Sequence, residues 1–242
     1  MKKYFTLNLF MCCALSLFSQ VDLLKEISKK TEDFIDQSMY DDITQSEVES
    51  ALNQILEYAF DYAIKESSKD GGFSNNINIR IPFPEEAINV KRSLEKIGLQ
   101  KEVEEFEHKI NLTAEECSKQ YSRSILIDII NNIRIDDAFS ILRGPDNAAT
   151  IYLKQSSYEY LYESFLPVVS YSMKNVNLAR YWEVLIKKYN SIPFTKKINI
   201  NLEEYITNKT IDGIFILMSD YEQEIRSNVS LRTTDLLKKV FK

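Results

Sequence analysis

The chain holds a single histidine, His108, and three cysteines, Cys12, Cys13 and Cys117, so metal and nucleophile chemistry has few residues to draw on. Glu105-x-x-His108 is half of the helical device that bridges two irons in carboxylate bundles. The other half is a second Glu-x-x-His on a facing helix, and the sequence offers no second histidine. Zinc sites built mainly from His and Cys fail on the same count. The sequence contains no Gly-rich phosphate loop, no Gly-x-Ser-x-Gly elbow, no paired CxxC and no His-Glu-x-x-His. His108 is therefore read as a surface residue of a helix, and Cys117 as a small packing residue in a helical pattern.

Carboxylates are plentiful, and most have a bland reading. Asp136-Asp137 precedes a short helix, where an acid satisfies free N–H groups and the helix dipole. Glu102, Glu104, Glu105 and Glu107 form the solvated face of an amphipathic helix. The densest polar content lies near the end, in Lys209-Thr210-Ile211-Asp212-Gly213 and then Glu222, Glu224, Arg226, Arg232 and Asp235. Lys209 and Asp212 are neighbours at i,i+3 on a helix, and Thr234 or Asp235 suits the cap of the last helix. The cluster Lys209, Asp212, Glu224, Arg226, Arg232 and Asp235 is read as an ion-pair network that docks the C-terminal helix. Its functional alternative is a polar pocket for an anionic ligand. A second candidate is aromatic. Tyr152, Tyr158, Tyr160, Tyr162, Tyr171, Tyr181 and Tyr189 crowd one stretch of chain, and aromatic residues at helical spacing serve core and interface more often than a ligand cavity. As a groove, the candidate lining is Tyr152, Tyr158, Tyr162, Tyr181, Trp182 and Tyr189 with Phe83 and Phe194.

The elements that position these residues are helical. Glycine and proline number 5 each in 242 residues, too few for a turn-dense all-β chain. Hydrophobic residues make up 44% and charged residues 27%, which supports an apolar core rather than wholesale disorder. Thr44-Gln45-Ser46-Glu47 reads as a capping box, and Val48, Leu52, Ile55, Ala59, Tyr62 and Ala63 recur at helical spacing up to the stop signal Asp70-Gly71-Gly72. Pro84-Glu85-Glu86 opens a helix to Ile97, with Gly98 as its left-handed cap. Leu99–Asn132 is the longest periodic run. Ile135–Leu142, Asp146–Lys154, Ser157–Lys174 (with Pro167 inside), Asn177–Tyr189, Leu202–Ser227 and Leu231–Phe241 follow. Two stretches break the pattern. In Phe73–Phe83, Ile77, Ile79 and Ile81 alternate with polar residues before Pro82; in Ser191–Asn201, Ile198 and Ile200 do the same after Pro193. Both contain Ile-Pro-Phe, and their like pattern suggests two extended segments that could pair as a small ribbon. The expectation is an all-α fold: a single domain over residues 44–242, with about eight or nine helices and two short extended Ile-Pro-Phe segments.

The N-terminus carries an address. Lys2 and Lys3 precede a mostly apolar run, Tyr4–Phe18, and small Ser19 precedes Gln20, the order of a secretory signal peptide with cleavage after residue 19. The run is short of the ~20 apolar residues a membrane span needs. Met11 and Cys12 stand before Cys12 and Cys13, where a lipoprotein site wants a small residue, so lipid anchoring is not expected. Cleavage leaves Cys117 as the one cysteine and no intramolecular disulfide. The formal charge of −6 falls to −8 with Lys2 and Lys3 gone, which gives no general attraction to nucleic acid. Residues 20–50 carry nine carboxylates against three lysines and read as an acidic, loosely held lead segment to residue 43, with one helix over Val21–Gln37. Residues 225–242 carry five basic residues against one acid, which suits docking of a basic C-terminal helix on an acidic surface.

Asp70-Gly71-Gly72-Phe73 with Ile81-Pro82-Phe83-Pro84-Glu85, Leu142-Arg143-Gly144 with Ala148-Ala149-Thr150, and Lys188-Tyr189-Asn190 with Ile192-Pro193-Phe194 form a recognisable series. It continues through Lys209–Gly213 and closes in Arg232-Thr233-Thr234-Asp235-Leu236-Leu237-Lys238-Lys239-Val240-Phe241. Over roughly Thr44–Phe241 the chain resembles an exported bacterial helical family catalogued as domain of unknown function 4197. The doubled Gly71-Gly72 and the Asn75-Asn76 pair depart from that pattern and bear on the length of one loop. The resemblance implies export and an all-helical fold, and no activity.

The function expected from sequence is a non-catalytic binding or interaction module of the periplasm or outer cell envelope. It needs no cofactor, and its partner would be a hydrophobic small molecule or an envelope protein. One alternative is a hydrolase or transferase using Asp or Glu with Lys209 or Arg232. The other is a structural envelope protein that self-associates.

Overall fold

Apolar residues at three- and four-residue steps give the first helix, α1 (Gln45–Ser67), whose buried face includes Val48, Leu52, Ile55, Ala59 and Ala63. The structure, a computed structural model, describes residues 42–120, 127–130, 135 and 137–242. The leader, the Val21–Gln37 helix, Tyr121, Ile125 and Asp136 lie outside the described residues. The sequence from Gln45 to Lys242 forms one compact unit.

After α1 the chain turns at Gly71, whose φ of +80° favours a residue without a Cβ. Residues up to 84 run without helix. Pro84 then caps a 3₁₀ turn, Glu85–Ala87, rather than opening the α-helix directly. Helix α2 (Ile88–Lys96) follows and ends at Gly98, at φ +84°. Next comes α3 (Gln100–Gln120), with Val103, Phe106, Ile110, Ala114 and Cys117 inside; residues 127–130 are also helical. Helix α4 (Ala138–Leu142) is capped by Asp137, whose carboxylate accepts from the Ser140 amide at 2.9 Å.

Helix α5 (Ala148–Asn175) is continuous, which corrects the expectation of two helices divided at Gln155-Ser156. Its inward stripe, Leu153, Ser157, Leu161, Phe165 and Val169, steps by four across the supposed break. The Ser157 hydroxyl donates back to the Leu153 carbonyl at 2.6 Å, so its polarity is met within the helix. Pro167 lies on the exposed face. Helix α6 (Leu178–Asn190) carries Trp182, and α7 (Leu202–Ser227) begins at Asn201, whose side chain accepts from the Glu204 amide. A 3₁₀ turn, Val229–Leu231, leads to α8 (Asp235–Val240), capped by the Thr234 hydroxyl.

Helix α7 is the central element. It packs most extensively on α1 and α5 and also touches α3, and residues on several of its faces are buried, among them Ile206, Ile211, Ile214, Met218 and Ile225. Helix α8 lies on α1, with Lys239 bonded to Glu47 at 2.6 Å, an instance of the basic end meeting the acidic surface. Among the described residues there is no strand. The ribbon expected from the two Ile-Pro-Phe segments does not form, because the backbone of each is occupied differently. The first is bonded to side chains of α3; the second turns at Ile192-Pro193-Phe194 and then runs unpaired.

Candidate functional site

The polar cluster separates into two places. Lys209 and Arg226 lie 17 residues apart on α7, roughly 25 Å at 1.5 Å per residue. At the first place Asp212 pairs with Lys154 of α5 at 2.6 Å and not with Lys209, which is exposed. The partner across the interface reaches Asp212 more directly than the flexible neighbour on its own helix. Both side chains of this pair are partly solvated, so it contributes little to stability. At the second place Arg226 is held by Glu222 at 2.9 Å, and its remaining N–H groups donate to the Leu142 and Ile141 carbonyls at the end of α4. Arg232 is buried and donates to the Ile225 carbonyl at 3.1 Å and to the Arg226 carbonyl. Glu224 and Asp235 are exposed. Neither bonds Arg226 or Arg232 among the described residues, and Asp235 lies 3.8 Å from Lys238.

Three polar residues outside both candidate sets do more of the positioning. Glu222, fully buried, accepts from the Ala149 and Thr150 amides at 3.1 and 2.7 Å and so caps α5 from within α7. Glu115 of α3, also buried, accepts from the Gly71, Phe73 and Ser74 amides and the Ser74 hydroxyl. Asn111 clamps Ile81, accepting from its N–H at 2.8 Å and donating to its C=O at 2.8 Å. Each replaces a missing secondary-structure partner, since a buried backbone group without one is costly. The available signal was a polar side chain on the apolar stripe of a helix. Glu107 gives the same lesson: it is buried, not part of the solvated face, and bonds Lys91 with Arg80 at 3.7 Å. His108 is exposed. Cys117 is buried, and burial pushes its thiol up to about 12, which leaves no thiolate at neutral pH.

The aromatic set does not line one groove. Phe83 and Tyr189 are buried, whereas Phe194 is fully exposed. Tyr152, Tyr158 and Tyr162 sit half-buried on α5, and the Tyr158 hydroxyl donates to Asn208 of α7 at 2.8 Å. Burial raises the Tyr158 pKa, aided by Asp212. Tyr181 lies under Lys109, whose Nζ is 5.3 Å from the ring centre. Trp182 stacks on Phe106 at 5.2 Å between ring centres and meets Phe83 at 6.2 Å.

Helix α6 therefore parts two clefts. One, about 900 Å³, opens toward α3 and pairs an apolar floor at Leu112, Val184 and Leu185 with the charges of Lys101, Glu105 and Arg180. The other, about 1040 Å³ and shallower, is bounded by Trp182, Met173 and Ile186 on one side and by Ile198, Ile200 and Leu202 on the other. A polar groove of about 480 Å³ lies across residues 199–201 from it, between Pro82, Glu85, Tyr205, Lys209 and Asp212. Tyr205 donates to the Pro82 carbonyl at 3.0 Å, and burial together with Glu86 and Glu85 pushes its hydroxyl up to about 12. Among the described residues no group of three or more His, Cys, Asp or Glu side chains is arranged to hold a metal ion.

A helical body with buried charges spent on backbone capping, and with clefts on the faces of one amphipathic helix, defines the class to which the chain is compared. The family model described as Protein of unknown function (DUF4197) matches residues 42–242, and the chain belongs to that family. Comparison with curated proteins and with solved structures returns no match. No helix among the described residues is long and apolar enough to cross a membrane.

Proposed function

We propose that the protein is a non-catalytic binding module exported to the bacterial periplasm or outer envelope, and that it binds through the Trp182 cleft. The observation that carries this reading is Trp182 itself. One part of the indole is stacked on Phe106 in the core, and the same residue borders an open cleft with Ile198 and Ile200 opposite. A half-buried aromatic fixed by packing loses little entropy on binding and offers a large apolar contact. The residues that would serve acid–base or nucleophilic chemistry support the same reading. Glu115, Glu222 and Arg232 are engaged largely by backbone groups, and Lys209 stands far from Arg226. Export rests on the basic start, apolar run and small residue of the first 19 residues.

Trp182 is the one tryptophan, so its emission reports the cleft directly. Native mass spectrometry of protein purified from its own envelope should show an adduct or a complex, and cross-linking in intact envelopes should capture a partner at α6. A clean apo spectrum with no cross-linked species would contradict the reading.

A further inference from the structure

We infer that residues 196–200 are an open strand edge that captures an acidic, extended peptide by backbone pairing beside the Trp182 cleft; this rests on the reading of that cleft as the binding surface. Burial along the stretch has period two. Ile198 and Ile200 are half-buried, while Lys197, Asn199 and Asn201 are exposed, and residues 198–201 all reach the cleft. That alternation is the signature of an extended strand with one face inward. Yet no N–H or C=O from Lys196 to Ile200 forms a hydrogen bond with any described residue. The stretch is a strand without a sheet, and an exposed strand edge with unpaired donors and acceptors is a template for another chain.

Two neighbours select the occupant. Residues 184–202 contain Lys187, Lys188, Lys196 and Lys197 and no acid, in a chain whose net charge is −6. Lys188 is engaged by Glu102 at 3.6 Å, whereas Lys187, Lys196 and Lys197 are exposed and form no ion pair with a described residue. Glu183, Glu203 and Lys187 border the cleft itself, so the basic character belongs to Lys196 and Lys197 along the strand edge rather than to the cleft lining. The second neighbour is Phe194, fully exposed with φ +64°. A non-glycine residue at positive φ is strained, and here the strained turn presents an aromatic ring to solvent. A strand paired along 196–200 would carry on the Ile198 and Ile200 face. Its apolar side chains would enter the cleft at every second position, and its acidic ones would fall on the opposite face toward Lys197, while Lys196 flanks the apolar face. A membrane surface is the less favoured occupant, because lipid headgroups would leave the row of backbone donors and acceptors without a matching row.

The experiment titrates the full mature chain with fluorescent seven-residue peptides, read by polarisation and by Trp182 emission. The probes are valine alternating with glutamate, valine alternating with lysine, and the glutamate peptide N-methylated at alternate amides. Vesicles of phosphatidylcholine with phosphatidylglycerol are titrated in parallel. The glutamate peptide should bind, the lysine peptide should not, and N-methylation should weaken binding at least about tenfold through lost backbone bonds. Charge reversal at both lysines, K196E with K197E, changes only exposed side chains and should also weaken it at least about tenfold. Equal binding of the N-methylated peptide would overturn the inference. So would binding to vesicles alone, or protection of residues 196–200 by self-association in sedimentation at rising concentration. If no peptide binds but envelope cross-linking still captures a partner at α6, the strand edge fails and the cleft reading stands.

Discussion

Ile81-Pro82-Phe83 and Ile192-Pro193-Phe194 are the same three residues in two opposite settings. In the first, Phe83 is 3% exposed; in the second, Phe194 is 105% exposed. Around the first, Glu115 gathers three amides, Asn111 clamps Ile81 and Tyr205 holds Pro82. Gly213 of α7 permits the approach, since a Cβ there would stand 2.7 Å from the Phe73 ring and 3.2 Å from Ile79. Around the second, no described side chain forms such a set, and the backbone groups from Lys196 to Ile200 bond no described residue. The contrast teaches that a non-helical segment in this fold becomes core only where helix side chains supply the hydrogen bonds a sheet would have supplied. Where they do not, the segment stays at the surface, with Phe194 in solvent.

The largest effect should come from removing the clamp. Glu115→Ala leaves the Phe73 and Ser74 amides without their acceptor in the interior and should cost about 4 kcal/mol, seen as a fall in the urea midpoint. Phe83→Ala should cost about 3–5 kcal/mol by opening a core cavity; Phe194→Ala should stay within about 0.5 kcal/mol because its ring touches solvent. Equal losses at the two phenylalanines would erase the comparison. Gly213→Ala should then cost about 1–3 kcal/mol by overpacking against Phe73, with near-ultraviolet circular dichroism reporting the displaced segment.

Tyr205 sharpens the comparison through pH. Its hydroxyl titrates near 12 when folded against about 10 when unfolded, so the folded state holds the proton more tightly. The contribution is complete below about pH 10 and is lost as pH rises toward about 12. Ultraviolet titration should show a tyrosine phase near pH 12, and Tyr205→Phe should remove it together with about 1 kcal/mol from the lost bond to Pro82. Phe194→Gly relieves a positive φ and should gain up to about 1 kcal/mol in thermal unfolding.

Helix placement was legible because it rests on local periodicity. Leu202–Ser227 was read with the bounds it has, and Gly98 and Thr234 act as the caps their residue types suggest. The split of α5 was misread because Gln155-Ser156 looks like a break, while the four-residue stripe from Leu153 to Val169 spans it. The site was much less legible. Which acid meets which base depends on helices brought together from distant sequence: Lys154 is 58 residues from Asp212. The clamp on the first Ile-Pro-Phe segment joins positions 41–44 residues apart, and the polar side chain of Glu115 on a buried helix face signals a partner without saying which one. Conversely, the shared alternation of the two segments predicted a pair, and pattern alone could not report that one was already satisfied by side chains.

Native-state hydrogen exchange followed residue by residue tests the central claim most directly. The account predicts strong protection at the Phe73, Ser74 and Ile81 amides, approaching the global stability, and exchange near the unstructured rate from Lys196 to Ile200. Protection across 196–200 in the isolated monomer, or rapid exchange at Phe73 and Ile81, would contradict it.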